Sequence, residues 1–205
     1  MPADIERAAD DLKSCRLILL QLEIPVETVY SAIEFGHRNG IKTLLNPAPA
    51  VGALDLEKIR HATFLAPNES ELRTLSGQPV DSLAEVEAAA RSLIAKGIGT
   101  VIVTLGARGA LLVTETDVVP IASPGPVTPV DTTGAGDAFM GCFARYYVET
   151  GDLLGSLGKA VRYAADSITR RGAQKAYAFE DEFKNLGLNG LRGGRCGADG
   201  ERQLS

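Results

Sequence analysis

Apolar residues come along this chain in short dense runs, separated by stretches in which they recur every three or four positions. The runs are "RLILLQLE" (16–23), "IKTLLNPAP" (41–49), "ATFLAPN" (62–68) and "GTVIVTLG" (99–106), rich in Leu, Val and Ile. Runs of this length predict strands buried on both faces, as the strands of a parallel sheet are. Between them, "PVETVYSAIEFGHRNG" (25–40) places Val29, Ile33 and His37 at i, i+4 and i+8 and closes on Gly40, a helix with its stop. "DSLAEVEAAARSLIAKG" (81–97) opens with Asp81 and Ser82 as cap candidates and ends at Gly97. This β-α-β-α rhythm predicts a layered α/β fold with a mostly parallel sheet and right-handed crossovers. "GALLVTETDVVPIAS" (109–123) predicts two strands around a polar turn, an antiparallel addition to that sheet.

Ligands on such sheets sit at the carboxyl ends of the strands. Those ends read "QLE", "NPAP", "PNESE", "TLGARG" and "DTTGAGD", all polar or rich in Gly and Pro, and are placed to face one crevice. From about residue 175 the periodicity fades, and residues 186–205 hold six glycines in 20 positions. The pattern predicts a main domain over 1–176 and a disordered Gly-rich tail over 177–205.

Composition narrows the chemistry. The chain has 205 residues, 45% of them hydrophobic, enough for one core. Lys plus Arg number 21 against 26 Asp plus Glu, a formal charge of −5 that argues against nucleic acid as a partner and requires any anion to be held locally. Cys15, Cys142 and Cys196 are far apart, and His37 and His61 are the two histidines, so neither a disulfide framework nor a zinc site is indicated. The chain has no apolar run of membrane-spanning length, and its first 15 residues are charged where a signal peptide is apolar. The expectation is a soluble intracellular protein, cytoplasmic with the nucleus left open, and no membrane partner.

The stretch "PVTPVDTTGAGDAFMGCF" (126–143) carries the strongest chemical signal. A dinucleotide fingerprint fails because Gly134-x-Gly136 is not followed by the third glycine. A Walker loop fails because Cys142 and Phe143 follow Gly141 where Lys and Ser or Thr are needed. A third reading starts from the helix that begins near Gly134, with Phe139, Met140, Phe143, Ala144, Tyr147 and Val148 at helical spacing. Its first amides lack helical acceptors and sit at the positive end of the dipole, an anion site. Asp137 in the first turn has two readings that local physics leaves open: an acid that stabilises the dipole, or a base that takes a proton from an attacking hydroxyl.

"DTTGAGDAF" resembles the carboxy-terminal signature of the ribokinase-like carbohydrate kinases, and "LLQLEIPVETV", "LNPAP", "PNESELRTLSG", "VTLGARGALLV" and "TRRGAQ" agree with that family in order and spacing. The resemblance covers roughly residues 5–176 and implies the family's layered α/β/α fold. It implies that Asp137 is the catalytic base, that the amides of Gly134, Ala135 and Gly136 form the anion hole, and that Gly136 and Asp137 also lie against ATP. It places Glu23 on the sugar and Asn68 and Glu71 as the pair that orders Mg²⁺ and phosphate, Glu71 through water. Thr104, Leu105, Gly106, Ala107, Arg108 and Gly109 match the nucleotide-contacting turn. Asp131, the Thr133 carbonyl, and the carbonyls of Ser167, Arg170 and Gly172 match the ligands of a monovalent cation, usually K⁺.

The activity so implied is ATP-dependent phosphorylation of the 5-hydroxyl of D-ribose, with Mg²⁺ and K⁺ as cofactors. The family's lid strands, its sugar-gripping Asn/Asp pair and its Gly-Gly-Lys-Gly stretch have no counterpart here, so the lid and N-terminal strands are expected to be missing. The family's pairing of subunits through the lid belongs to the full-length protein. Ala176 stands where the family commonly has a serine near the cation. The alternatives are a non-catalytic nucleotide-binding fragment, and a kinase for another sugar or a nucleoside.

Overall fold

The computed structural model describes residues 1–49 and 54–189. In chain order the elements are α1 (Pro2–Arg7), α2 (Ala9–Ser14), β1 (Leu17–Leu20), α3 (Val26–Asn39), β2 (Lys42–Leu45), α4 (Leu56–Ile59) and β3 (Phe64–Leu65). They continue with α5 (Glu69–Ser76), α6 (Leu83–Ile94), β4 (Val101–Thr104), β5 (Ala110–Val113), β6 (Val118–Ile121), α7 (Ala135–Thr150), α8 (Leu153–Ser167) and α9 (Glu180–Asn189). The sheet runs β1-β2-β3-β4-β5-β6; the first four strands are parallel, and β5 and β6 add as an antiparallel hairpin.

Two cores sandwich the sheet. On one face α3, α5 and α6 deliver Val29, Ile33, Leu72, Val86 and Leu93, all fully buried, against Leu45, Leu65 and Val103. On the other, α7 and α8 deliver Phe139, Phe143 and Leu157 against Leu44, Phe64 and Ile102. Phe143 is fully buried and meets Phe64 edge-on at 5.4 Å, and burial of a ring of this size contributes about 2–3 kcal/mol. This is the layered α/β/α arrangement that the apolar runs predict.

The helix ends follow local chemistry. Ser82 caps α6 by accepting from the Glu85 amide while Glu85 reaches back to the Ser82 N–H, so Asp81 lies outside the cap. Two expectations need correction. The α3 stripe is Val29, Ala32, Ile33, Phe35 and Gly36; His37 is exposed at the last turn, stacked on His61 at 3.9 Å. And β1 is not buried on both faces. It is the sheet edge, where Ile18 and Leu20 point into the α3 core while Leu19 remains 40% exposed.

The stretch from residue 177, expected as disordered tail, holds α9. Phe183 is 8% exposed and packs edge-on against Tyr163 at 5.0 Å, and the Tyr163 hydroxyl donates to the Ala178 carbonyl at 2.8 Å. The Phe179 amide donates to the Glu182 carboxylate, closing the first turn. One anchored ring in an otherwise polar segment was enough to outweigh the composition, and the glycine density that suggested disorder starts later. Residues 190–205 of the expected tail lie outside the described residues.

If α9 is held by this ring, Phe183→Ala lowers the unfolding free energy by about 3 kcal/mol, read from urea denaturation followed by far-UV circular dichroism. A midpoint equal to wild type would show that the helix does not stabilise the domain.

Candidate active site

The parallel ladder continues beyond the strands and brings their carboxyl ends into line. Asn46 N–H donates to the Leu20 carbonyl at 2.9 Å, Leu22 N–H to Ala48 at 2.8 Å, Ala66 N–H to Leu45 at 2.8 Å and Thr104 N–H to Pro67 at 2.9 Å. Gln21, Asn46, Asn68 and Leu105 are therefore near neighbours in rank along one rim of the sheet.

Helix α7 enters over this rim. Its cap, Gly134, has φ 78°, and a Cβ there would lie 2.5 Å from the Tyr177 hydroxyl, so only glycine fits. That hydroxyl donates to the Gly134 carbonyl at 2.9 Å and fixes the turn. Ala135 N–H donates to the Thr132 carbonyl at a long 3.2 Å, which removes it from the three amides expected to be free. The amides of Gly134, Gly136 and Asp137 have no protein acceptor among the described residues. A Cβ on Gly136 would meet nothing within 4 Å, so the backbone is open to a ligand.

Asp137, in the first turn, is exposed, and its Oδ1 accepts from Gln21 Nε2 at 2.9 Å. Gln21 Nε2 is 3.2 Å from Asn46 Oδ1, and the buried Asn46 donates to the Ala66 carbonyl at 2.8 Å. Neither Gln21 nor Asn46 was singled out by the motifs, although each is the first polar residue after its apolar run. Glu23, two positions further, is exposed and stands outside this hydrogen-bonded cluster. Beside Asp137 opens a cavity of about 280 Å³ lined by Cys142, Tyr146, Tyr163, Tyr177 and Phe183. Burial pushes the Cys142 thiol up to about 12. Burial, and next the charge of Asp137, raise Tyr177.

Asn68 and Glu71 form a complete capping box on α5. Asn68 Oδ1 accepts from the Glu71 amide at 2.9 Å, and the two Glu71 oxygens accept from Asn68 N–H and Nδ2, each at 2.8 Å. Burial raises the Glu71 carboxyl against the lowering effect of these bonds. The nucleotide-turn residues form a tight loop in which Leu105 N–H donates to Gly109 and Arg108 pairs with Glu69 at 2.5 Å, next to Asn68. Gly106 and Ala107 are exposed, and Gly106 has open space where a Cβ would be. Gly109 is required for a different reason: a Cβ there would sit 2.1 Å from the Ile121 carbonyl, so it serves the packing of the turn on β6.

Asp131 joins two loops. Its oxygens accept from Thr133 N–H at 3.0 Å and Gly172 N–H at 2.9 Å, and the Val130 amide donates to Ile168. These backbone donors, Gly172 first, lower the carboxyl to about 2. Ser167 O accepts from Arg170 N–H at 3.4 Å, while the Arg170 guanidinium binds the Ala176 carbonyl and forms an ion pair with the buried Asp166. Asp131, Thr133 and Gly172 are thus brought together, with Ser167 and Arg170 flanking them. Among the described residues no helix is long and apolar enough to cross a membrane.

Comparison with known proteins matches these features to relatives. Over 189 residues the chain is 51% identical to the deoxyribokinase of Salmonella typhimurium, covering 92% of this chain and 61% of that one. It is 34% identical to the ribokinase of Mus musculus, covering 88% of this chain and 57% of the mouse protein. The solved structure of Arabidopsis thaliana ribokinase complexed with ribose and ATP superposes with a TM-score of 0.84 at 25% identity, over 88% of this chain and 58% of that one. The chain therefore spans only about three fifths of the length of these relatives. The model of the pfkB family carbohydrate kinases matches residues 4–178, which include the α7 turn, the Asp131 loop and the four aligned strand ends, and the chain belongs to that family.

Proposed function

We propose that this chain carries the phosphoryl-transfer machinery of an ATP-dependent pentose kinase. The observation that supports this most directly is the pairing of one exposed carboxylate with unpaired amides at the same helix end: Asp137 beside the N–H groups of Gly134 and Gly136. A hydroxyl placed there loses its proton to Asp137 while its oxygen bonds to the γ-phosphorus of ATP and the bond to ADP breaks. The amides stabilise the charge on the transferring oxygens, and they are already oriented before reaction. The open turn at Gly106 and Ala107, tied to Asn68 through Arg108 and Glu69, is suited to the nucleotide.

The acceptor is a pentose. The higher identity to a deoxyribokinase favours 2-deoxyribose, with D-ribose, the acceptor the motifs imply, as the second candidate. Glu23 is free to reach a sugar hydroxyl.

The residues present fit both expected cations. Glu71 keeps lone pairs beyond its capping bonds but is 6% exposed, which suits Mg²⁺ held through water and phosphate oxygens. Asp131, kept ionised by its backbone donors, suits a monovalent cation shared with the carbonyls of Thr133, Ser167, Arg170 and Gly172. When bound, these ions supply positive charge to the phosphate oxygens.

A coupled ADP-release assay with 2-deoxyribose and D-ribose, Mg²⁺ and K⁺ tests the reading. The expected result is turnover with deoxyribose preferred, and a loss of about 10²- to 10⁴-fold in Asp137→Asn. Nucleotide binding by calorimetry without any turnover would reduce the chain to a nucleotide-binding fragment.

Asp131 gives a second test. Its folded pKa of about 2 lies below the ordinary 3.8, so the ionised form stabilises the fold above about pH 4, and that contribution fades as pH falls toward 2. Asp131→Asn should therefore melt below wild type at pH 7, with the gap closing near pH 2.5. A gap that is constant with pH would remove the carboxylate from this role.

A further inference from the structure

We infer that Gln21 is a positioning residue that aims Asp137 and selects Oδ2 as the oxygen that receives the proton, an inference that rests on Asp137 being the base. The Ala66 carbonyl oxygen can only accept, and Asn46 Nδ2 donates to it at 2.8 Å. That fixes the orientation of the buried Asn46 amide, with its oxygen turned toward Gln21. Asn46 Oδ1 likewise only accepts, so Gln21 presents its NH₂ group, with Nε2 3.2 Å away. The second N–H of the same nitrogen is left for Asp137 Oδ1, at 2.9 Å. A backbone carbonyl thus sets the donor direction of the whole chain, and neither amide is free to flip.

The strand ends make this chain stiff. Hydrogen bonds from Asn46 N–H to Leu20 and from Leu22 N–H to Ala48 clamp the backbone on both sides of Gln21, and Ala66 N–H to Leu45 holds the third strand end. Asp137 needs the support because it is exposed and lies 116 residues away on another element.

The N–H facing Oδ1 takes one of its two lone pairs and lowers the basicity of that oxygen relative to Oδ2, so the hydroxyl proton goes to Oδ2. The O–H bond breaks, the oxygen bonds to the γ-phosphorus, ADP leaves, and the proton ends on Oδ2 of a carboxyl oriented by Gln21. Without that donor the carboxylate rotates about χ2. A displacement of about 1 Å at a reacting group is worth about 10²-fold in rate.

The test compares wild type, Gln21→Leu, Asp137→Asn and the double variant in the coupled assay, with melting temperatures. Gln21→Leu should lower kcat by about 10²-fold with KM for ATP and pentose changed by less than about threefold, since a removed alignment acts in the transition state alone. In the Asp137→Asn background the same change should cost less than about threefold, because the two residues act as one unit. A kcat near wild type in Gln21→Leu, or losses that multiply in the double variant, overturns the inference. If wild type shows no turnover, the kinase reading fails, and side-chain amide hydrogen exchange by NMR decides the clamp by itself. Gln21 NH₂ exchanging more slowly than that of the exposed Gln174, and speeding up in Asp137→Ala, supports it. Exchange like that of Gln174 in wild type sinks it.

Discussion

The site is built around the left-handed turn at Gly134. Because φ is 78° there, the chain leaving the Asp131 loop can swing into α7 and leave the amides of Gly134, Gly136 and Asp137 without a protein acceptor among the described residues. The Tyr177 hydroxyl occupies the space a side chain would need and bonds the carbonyl instead. The turn thus ties together three segments distant in sequence: the 131–134 loop, the helix, and the chain that leads into α9. A methyl group at this one position would disturb the unpaired amides, the carboxylate in the first turn and the wall of the adjoining cavity at once.

The electrostatics follow from the same economy. In a chain with formal charge −5, the helix end at Gly134 offers unpaired amide dipoles, which attract negative charge without a basic side chain. Arg108 is committed to Glu69, and Arg170 to Asp166 and the Ala176 carbonyl. These guanidinium groups hold loops together. The buried Asp166 has its charge matched and its oxygens hydrogen-bonded, the condition under which such a pair is tolerated.

Much of this was legible in the chain because it is local. The apolar runs, the cap at Ser82, the hairpin and the α7 entry all depend on residues within a few positions of one another. What was not legible depends on contacts between distant residues. Gln21 meets Asp137 across 116 positions, Tyr177 meets Gly134 across 43, and the motif that contains Gln21 drew notice to Glu23 instead. The motif gave no sign that Gly109 is also demanded by packing, with the Ile121 carbonyl directly beneath it. The start of the expected tail, 177–189, departs from its reading because composition averages over a segment, while Phe183 acts as a single ring. The exposed Leu19 shows the opposite error, an apolar run that sits at the edge of its sheet.

Cys142 gives the cavity wall a further property. Burial disfavours the charged form of this thiol, and the thiolate is the form that oxidants and electrophiles attack. The sulfur in the wall beside Asp137 is therefore a poor nucleophile, and it serves the cavity as an apolar packing group.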